Sequence, residues 1–240
     1  MLKFSDKLLP NQDEQRKLFE ESDFSSRIYD VICRSSGIAD GFGAFQLSKS
    51  DRFTQEEMGS NPVTIAFLTF LIQVSGARRI LEIGTFTGVS AISFARALPK
   101  GGRVLTIEKF PEFVAIARSN IDANGLGDVV RVLEGDAGEV LERLKGQETF
   151  DFIFIDGHKE SYASYFELAE ALSSPDAIIV VDDCFFHGDA LNKTPKTTKG
   201  QGVKDFLNAM GRRPDWLRVA LPLSNGLFLA TRQRANTTAI

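Results

Sequence analysis

Three carboxylates at the ends of two apolar runs are the residues of this chain best placed to do chemistry. Asp156 closes the run 150–156, and Asp182 and Asp183 close the run 177–183. If the two runs are neighbouring strands, the carboxylates meet and repel one another unless a cation sits among them. A set of oxygen donors favours a hard divalent ion such as Mg²⁺, Mn²⁺ or Ca²⁺. Helix capping and simple solvation are the plain alternatives, and spacing alone leaves them open. Lys159 follows Asp156 by three positions. A lysine beside a cation in a cleft of low dielectric can have its pKa lowered and act as a base; an exposed lysine is the bland reading. The chain's two histidines, His158 and His187, both fall beside these carboxylates. They raise a rival chemistry, a hydrolase with a borderline metal, although no H-E-x-x-H spacing accompanies them. Lining the pocket is the simpler role for each.

A second group lies upstream. Glu82-Ile83-Gly84-Thr85-Phe86-Thr87-Gly88 lies at the end of an apolar run. Its glycines permit a sharp turn and the close approach of a ligand. The spacing is G-x-x-x-G, not the G-x-G-x-x-G that seats a pyrophosphate. An acidic residue ahead of the first glycine suits a ligand with a cationic amine. Glu108 ends the next apolar run, where a carboxylate can grip ribose hydroxyls. Gly135-Asp136-Ala137 ends the third. Together these features predict a nucleoside cofactor.

Elements must exist to position these residues. Apolar runs at 79–84, 103–108, 129–133, 150–156 and 177–183 read as buried strands. Amphipathic stretches at 88–98, 111–124, 137–144 and 161–172 read as helices, the second opened by Pro111. This alternation predicts a parallel sheet covered on both faces. The segments 216–223 and 227–231 flank Ser224-Asn225-Gly226 and predict a hairpin that places one antiparallel strand in the sheet. The stretch 62–76 is too short and too polar to span a bilayer and reads as a buried helix. Residues 188–201 predict a polar loop, long enough for a lid or binding loop. Residues 1–57 read as a helical extension for substrate or dimer contacts, 58–232 as the main domain, and 233–240 as a flexible tail.

Composition bounds the partners. A net charge of −4 over 240 residues argues against a nucleic-acid binder, and nothing at the N-terminus resembles a secretory signal. Cys33 and Cys184 form no pattern, which suits free thiols in a reducing cytosol. The 20 phenylalanines can fill a core or line a pocket for a flat substrate.

Taken together and in order, the motifs resemble the cation-dependent O-methyltransferases of the caffeoyl-CoA and catechol type, including their bacterial relatives. The carrying segments are Met58-Gly59-Ser60, the run from Leu81 to Ser90, Glu108, Gly135-Asp136-Ala137, the run from Phe154 to Tyr162, Val181-Asp182-Asp183 and Asn225-Gly226-Leu227. The resemblance covers about 58–231. It implies a Rossmann-like class I methyltransferase: an α/β fold with a mostly parallel seven-stranded sheet. It further implies S-adenosylmethionine contacts from Glu82, Gly84, Thr85, Phe86, Ser90, Glu108, Lys109, Asp136, Ala137, Asp156 and His158. Met58 and Ser60 would reach the cofactor from a lid, and Asp156, Asp182 and Asp183 would hold the cation. Lys159 would be the catalytic base, and His187 would face the substrate beside it. The implied reaction moves a methyl group to a hydroxyl of a small catechol-like acceptor, in a cytoplasmic homodimer. An acceptor without a catechol is the alternative within the class. Three positions depart from the family pattern: Asp183 replaces an asparagine, Gly157-His158 replaces Ala-Asp, and His187 stands where plant members carry asparagine.

Overall fold

The computed structural model describes residues 58–233, together with the helical positions Val31, Arg34 and Ser35. The expected helical extension and the tail otherwise lie outside the described residues. The chain divides into two compact units, 1–41 and 42–240, and every element named below belongs to the second.

The alternation of apolar runs and amphipathic stretches becomes α1 (Pro62–Ser75), β1 (Arg79–Ile83), α2 (Val89–Ala97), β2 (Arg103–Glu108), α3 (Pro111–Ala123), β3 (Val130–Glu134), α4 (Ala137–Leu144), β4 (Phe150–Ile155), α5 (Tyr162–Leu172), β5 (Ser173–Val181), α6 (Thr198–Gly211), β6 (Trp216–Leu221) and β7 (Leu227–Arg232). A 3₁₀ turn at Lys159–Ser161 precedes α5. A kinked pair of 3₁₀ turns spans Phe186–Leu191. The strands form one seven-stranded sheet in the order β3-β2-β1-β4-β5-β7-β6. Strands β1 to β5 are parallel. Strand β7 runs antiparallel to β5 and to β6, as the hairpin predicts.

Two apolar layers cover the sheet. Along β4 the side chains alternate: Phe152 and Phe154 enter one layer, Ile153 and Ile155 the other. Helices α1, α2 and α3 close the first layer; α4, α5 and α6 close the second. Phe94, Phe150, Phe152, Phe154, Phe166 and Phe206 are fully buried, so much of the phenylalanine content is core. Among the described residues, no helix is long and apolar enough to cross a membrane.

Two sequence expectations need correction. The polar loop ends at Thr197, because 198–201 already form the first turn of α6. Thr197 caps that helix by accepting the Gly200 N–H, and Val203, Phe206 and Met210 bury one face. The loop is also tied down: the Asp189 carboxylate accepts the N–H groups of Lys196 and Thr197 at 2.8 and 3.0 Å and the Thr197 hydroxyl at 2.7 Å. The second correction concerns β5, which starts at Ser173, four residues before the expected position. Its early segment contains Pro175 and pairs with β4 across a register shift between Phe150 and Phe152. A proline is tolerated at such an irregularity.

Candidate active site

The sheet changes winding direction between β1 and β4, and ligands of open parallel sheets bind beyond the carboxyl ends at such a point. The turn after β1 carries Gly84 and Gly88 at φ +96° and +86°, and Phe86 also adopts a positive φ. Glu108, at the end of β2, organises that turn. Its Oε2 accepts the N–H groups of Thr85 and Phe86 at 3.2 and 2.9 Å, and its Oε1 accepts that of Phe110 at 3.0 Å. At Gly84 the backbone touches its neighbour directly. A Cβ there would stand 2.2 Å from the Asp156 carbonyl oxygen, so only glycine fits. The glycine turn and the Asp156 turn therefore share a wall.

Glu82 is fully buried at the end of β1. Its Oε2 accepts the Thr106 hydroxyl, which also contacts the Thr85 hydroxyl, while its Oε1 has no partner. Burial pushes this carboxyl up to about 8, against the nearby Ser90 and Thr106 hydroxyls and with the Asp156 and Glu108 charges adding to the rise. The group is thus largely protonated at neutral pH. Asp136 caps α4 by accepting the Gly138 N–H at 3.0 Å. Its other oxygen takes the Lys109 ammonium at 3.0 Å on the exposed rim, a bond that holds Asp136 below and Lys109 above their usual values. Ala137 opens that helix.

The three aspartates come together with Lys159. The buried Lys159 Nζ stands 2.8 Å from Asp156 Oδ1 and 2.9 Å from Asp183 Oδ2. The Tyr162 ring lies beside the ammonium, its centroid 5.1 Å away. Burial alone would lower this lysine, but Asp156, Tyr162 and Asp183 outweigh it and hold the amine well above its ordinary value. A bound cation beside this lysine would instead lower it. The opposite holds here because the lysine is itself the cation between two carboxylates. Asp182 is buried, and desolvation with the Asp156 and Asp183 charges pushes it to about 8. One of its oxygens accepts the Asp183 N–H at 2.9 Å. Asp183 itself sits at φ +54°, a strained conformation of the kind that gathers at functional sites. Among the described residues, no group of three His, Cys, Asp or Glu side chains is arranged as a ready metal centre.

The remaining predicted residues lie around this cluster. The Ser60 hydroxyl points to Asp156 Oδ2 at 3.4 Å, a long contact, and Met58 is exposed. His158 is exposed and places Nδ1 3.2 Å from Glu160 Oε2. His187 is exposed at φ 52°, edge-on to Phe186 at 5.6 Å. The histidines therefore have separate partners. Thr106 was not anticipated, although a polar residue in an otherwise apolar strand was the available signal. A cavity of about 640 Å³ lies at the opposite, amino end of the sheet, lined by Arg79, Arg103 and Asp151. Asp151 is paired with Arg79 there, and no predicted site residue reaches it.

The O-methyltransferase family profile matches residues 46–233. A catechol O-methyltransferase of Niastella koreensis is 42% identical over 146 residues, covering 60% of this chain and 66% of that protein. A catechol O-methyltransferase of Mycobacterium tuberculosis is 37% identical over 148 residues, covering 62% and 66%. The match thus spans just under two thirds of both relatives. The structure of an O-methyltransferase from Bacillus cereus, in complex with SAH, superposes with a TM-score of 0.68 at 31% identity, covering 95% of this chain and 94% of that one.

Proposed function

The chain belongs to the O-methyltransferase family, and on that premise we propose that it transfers the methyl group of S-adenosylmethionine to a hydroxyl of a catechol-like small molecule, with a divalent cation bound beside the acceptor. The observation that carries this reading is the contact of Gly84 with the Asp156 carbonyl. It sets a turn suited to a nucleoside cofactor directly against a carboxylate cluster suited to a cation.

The chemistry of the residues suits both groups, although in the free protein the three aspartates are not gathered as a metal centre. Glu82 offers a buried, half-satisfied carboxyl to a cationic amine. Glu108 keeps lone pairs free for ribose hydroxyls beyond those its three N–H partners use. Asp156, Asp182 and Asp183 supply hard oxygen donors, and the raised Asp182 marks a cluster short of positive charge, with Lys159 the one cation inside it among the described residues. A divalent cation bound there would lower the pKa of an acceptor hydroxyl and orient two vicinal oxygens. Lys159 can accept the hydroxyl proton only as the neutral amine, so its pairs with Asp156 and Asp183 must open before it acts. Bound S-adenosylmethionine would supply the methyl group from its sulfonium, and Lys159 would hold the proton taken from the acceptor hydroxyl. Ser60 and Met58 would close over the cofactor, with Thr85, Phe86, Ser90, Lys109, Asp136, Ala137 and His158 around it. His187 would face the acceptor. A cytoplasmic homodimer belongs to the same proposal; exposed apolar Phe70 and Val74 on α1 support the dimer, and light scattering tests it. A hydrolase built on His158 and His187 finds no support in their separate contacts.

The test is methyl transfer from labelled S-adenosylmethionine to a panel of dihydroxy aromatics, with Mg²⁺ or Mn²⁺ and with EDTA. Transfer that depends on the cation is expected. Full activity after exhaustive chelation overturns the cation, and no transfer to any member of the panel overturns the acceptor class. With an active pair in hand, Lys159→Ala should lower kcat by on the order of 10²–10⁴, leaving cofactor affinity intact. Parental kcat at neutral pH would remove Lys159 from the mechanism.

A further inference from the structure

The Lys159 amine is held in a cluster of charges by a turn only three residues long, so something outside that turn must fix its position. Helix α6 does this along one stripe. Thr198, Gly202 and Phe206 are spaced by four residues and therefore share a face. Each meets the lysine turn at a different level. The Thr198 hydroxyl donates to Glu160 Oε1 at 2.8 Å. Gly202 lets the two backbones touch: a Cβ there would stand 2.5 Å from Glu160 Cα and 2.8 Å from the Lys159 carbonyl oxygen. Phe206 packs edge-on against the Tyr162 ring at 6.2 Å, and that ring flanks the Lys159 ammonium. Tyr162 and Phe206 are fully buried, which leaves little slack. The helix cannot easily slide away at its start, because Asp189 binds the Thr197 N–H and hydroxyl one residue before it.

We infer that this stripe of α6 is a positioning device for the Lys159 amine, with Gly202 its critical member. A methyl group at Gly202 would push the turn outward, so that Nζ leaves Asp156 and Asp183 in the free protein and also stands out of line for the acceptor hydroxyl it would deprotonate. Phe206 and Thr198 act through Tyr162 and Glu160, so all three are positioning residues. The inference rests on the proposed role of Lys159 for its kinetic readout, but not for its structural one.

Gly202→Ala is compared with Gly211→Ala in the same helix, where an added Cβ meets nothing within 4 Å. Three quantities are read: kcat on an active acceptor, cofactor affinity by calorimetry, and the acetylation rate of Lys159 relative to exposed Lys100, by mass spectrometry after brief acetic anhydride treatment. Gly202→Ala should lower kcat by on the order of 10- to 100-fold, as expected for a displacement near 1 Å. Cofactor affinity should stay parental and Lys159 should acetylate faster. Gly211→Ala should match the parent throughout. A folded Gly202→Ala with parental acetylation of Lys159 overturns the inference, whatever its kcat. If Gly202→Ala does not fold, Phe206→Leu replaces it; faster acetylation is expected, and the parental rate overturns the inference. A parent that methylates nothing would sink the proposed function, while the acetylation comparison would still decide the positioning role.

Discussion

At the scale of single residues, Glu82 and Glu108 make separable predictions. With its carboxyl raised to about 8, Glu82 carries a proton at pH 7 in the free protein. A cationic amine bound beside it favours the ionised form. Cofactor binding should therefore release up to one proton near pH 7, visible as a binding enthalpy that varies with the ionisation enthalpy of the buffer. A buffer-independent enthalpy would place the amine elsewhere. The same shift has a consequence for folding. The unfolded carboxyl loses its proton near 4.5 and the folded one near 8, so the folded state binds more protons in between. The Glu82 contribution to stability therefore falls as pH rises from about 4.5 to about 8 and is flat above. Glu108→Ala should weaken cofactor binding by roughly 1.5–3 kcal/mol, the range for a lost charge-assisted hydrogen bond; unchanged affinity in calorimetry would remove it from the ribose site. The positions of Glu82, Glu108 and the three aspartates were legible in the sequence because each follows an apolar run, and strand ends converge. The direction of the Lys159 shift was not. It depends on which charge fills the space between Asp156 and Asp183, and that is a matter of three-dimensional packing that spacing does not encode.

At the scale of elements, α6 is the instructive failure of sequence reasoning. Gly200 and Gly202 each lower helix propensity by about 1 kcal/mol relative to alanine, and the polar residues before them extend the loop signal. The structure gives both glycines a reason. Gly200 lies against the Asp189 carboxylate and Gly202 against the lysine turn, so tertiary contact decides what propensity disfavours. The spacing of Val203, Phe206 and Met210 was the available helical signal. Asp189 governs the other end. Hydrogen bonds led by the Lys196 N–H and the Thr197 hydroxyl lower its carboxyl to about 2. A lowered carboxylate stabilises above its unfolded value of 3.8, and that contribution fades as pH falls through about 2. Asp189→Ala should accordingly speed amide hydrogen exchange over 189–200 at neutral pH while the strands stay protected. Parental exchange in that segment would show that the loop holds its shape without the carboxylate.

At the scale of the molecule, the sheet and its two layers were readable from hydrophobic alternation, because parallel strands buried on both faces leave continuous apolar runs. The hairpin was readable from its Asn225-Gly226 turn. What the sequence did not reveal was which helix serves which face. The layer beneath α2 offers a direct check. Phe94 is fully buried and meets Phe152 and Phe154 edge-on at 6.2 and 5.5 Å. Phe94→Ala should cost roughly 3–5 kcal/mol, read as a lower denaturation midpoint in urea. A loss well below 1 kcal/mol would mean that the layer refills the space. The strand order has a further consequence, for the way the protein is made. Strand β7 leaves the ribosome after every other described strand, yet its place is inside the sheet, between β5 and β6. Until it arrives, the free edge of β5 presents unpaired backbone groups to any passing chain. Synthesis at about 5–20 residues per second leaves that edge open for roughly 3–10 s. Nascent chains stalled before Leu227 should therefore be the species that chaperones hold and that aggregate when chaperones are scarce.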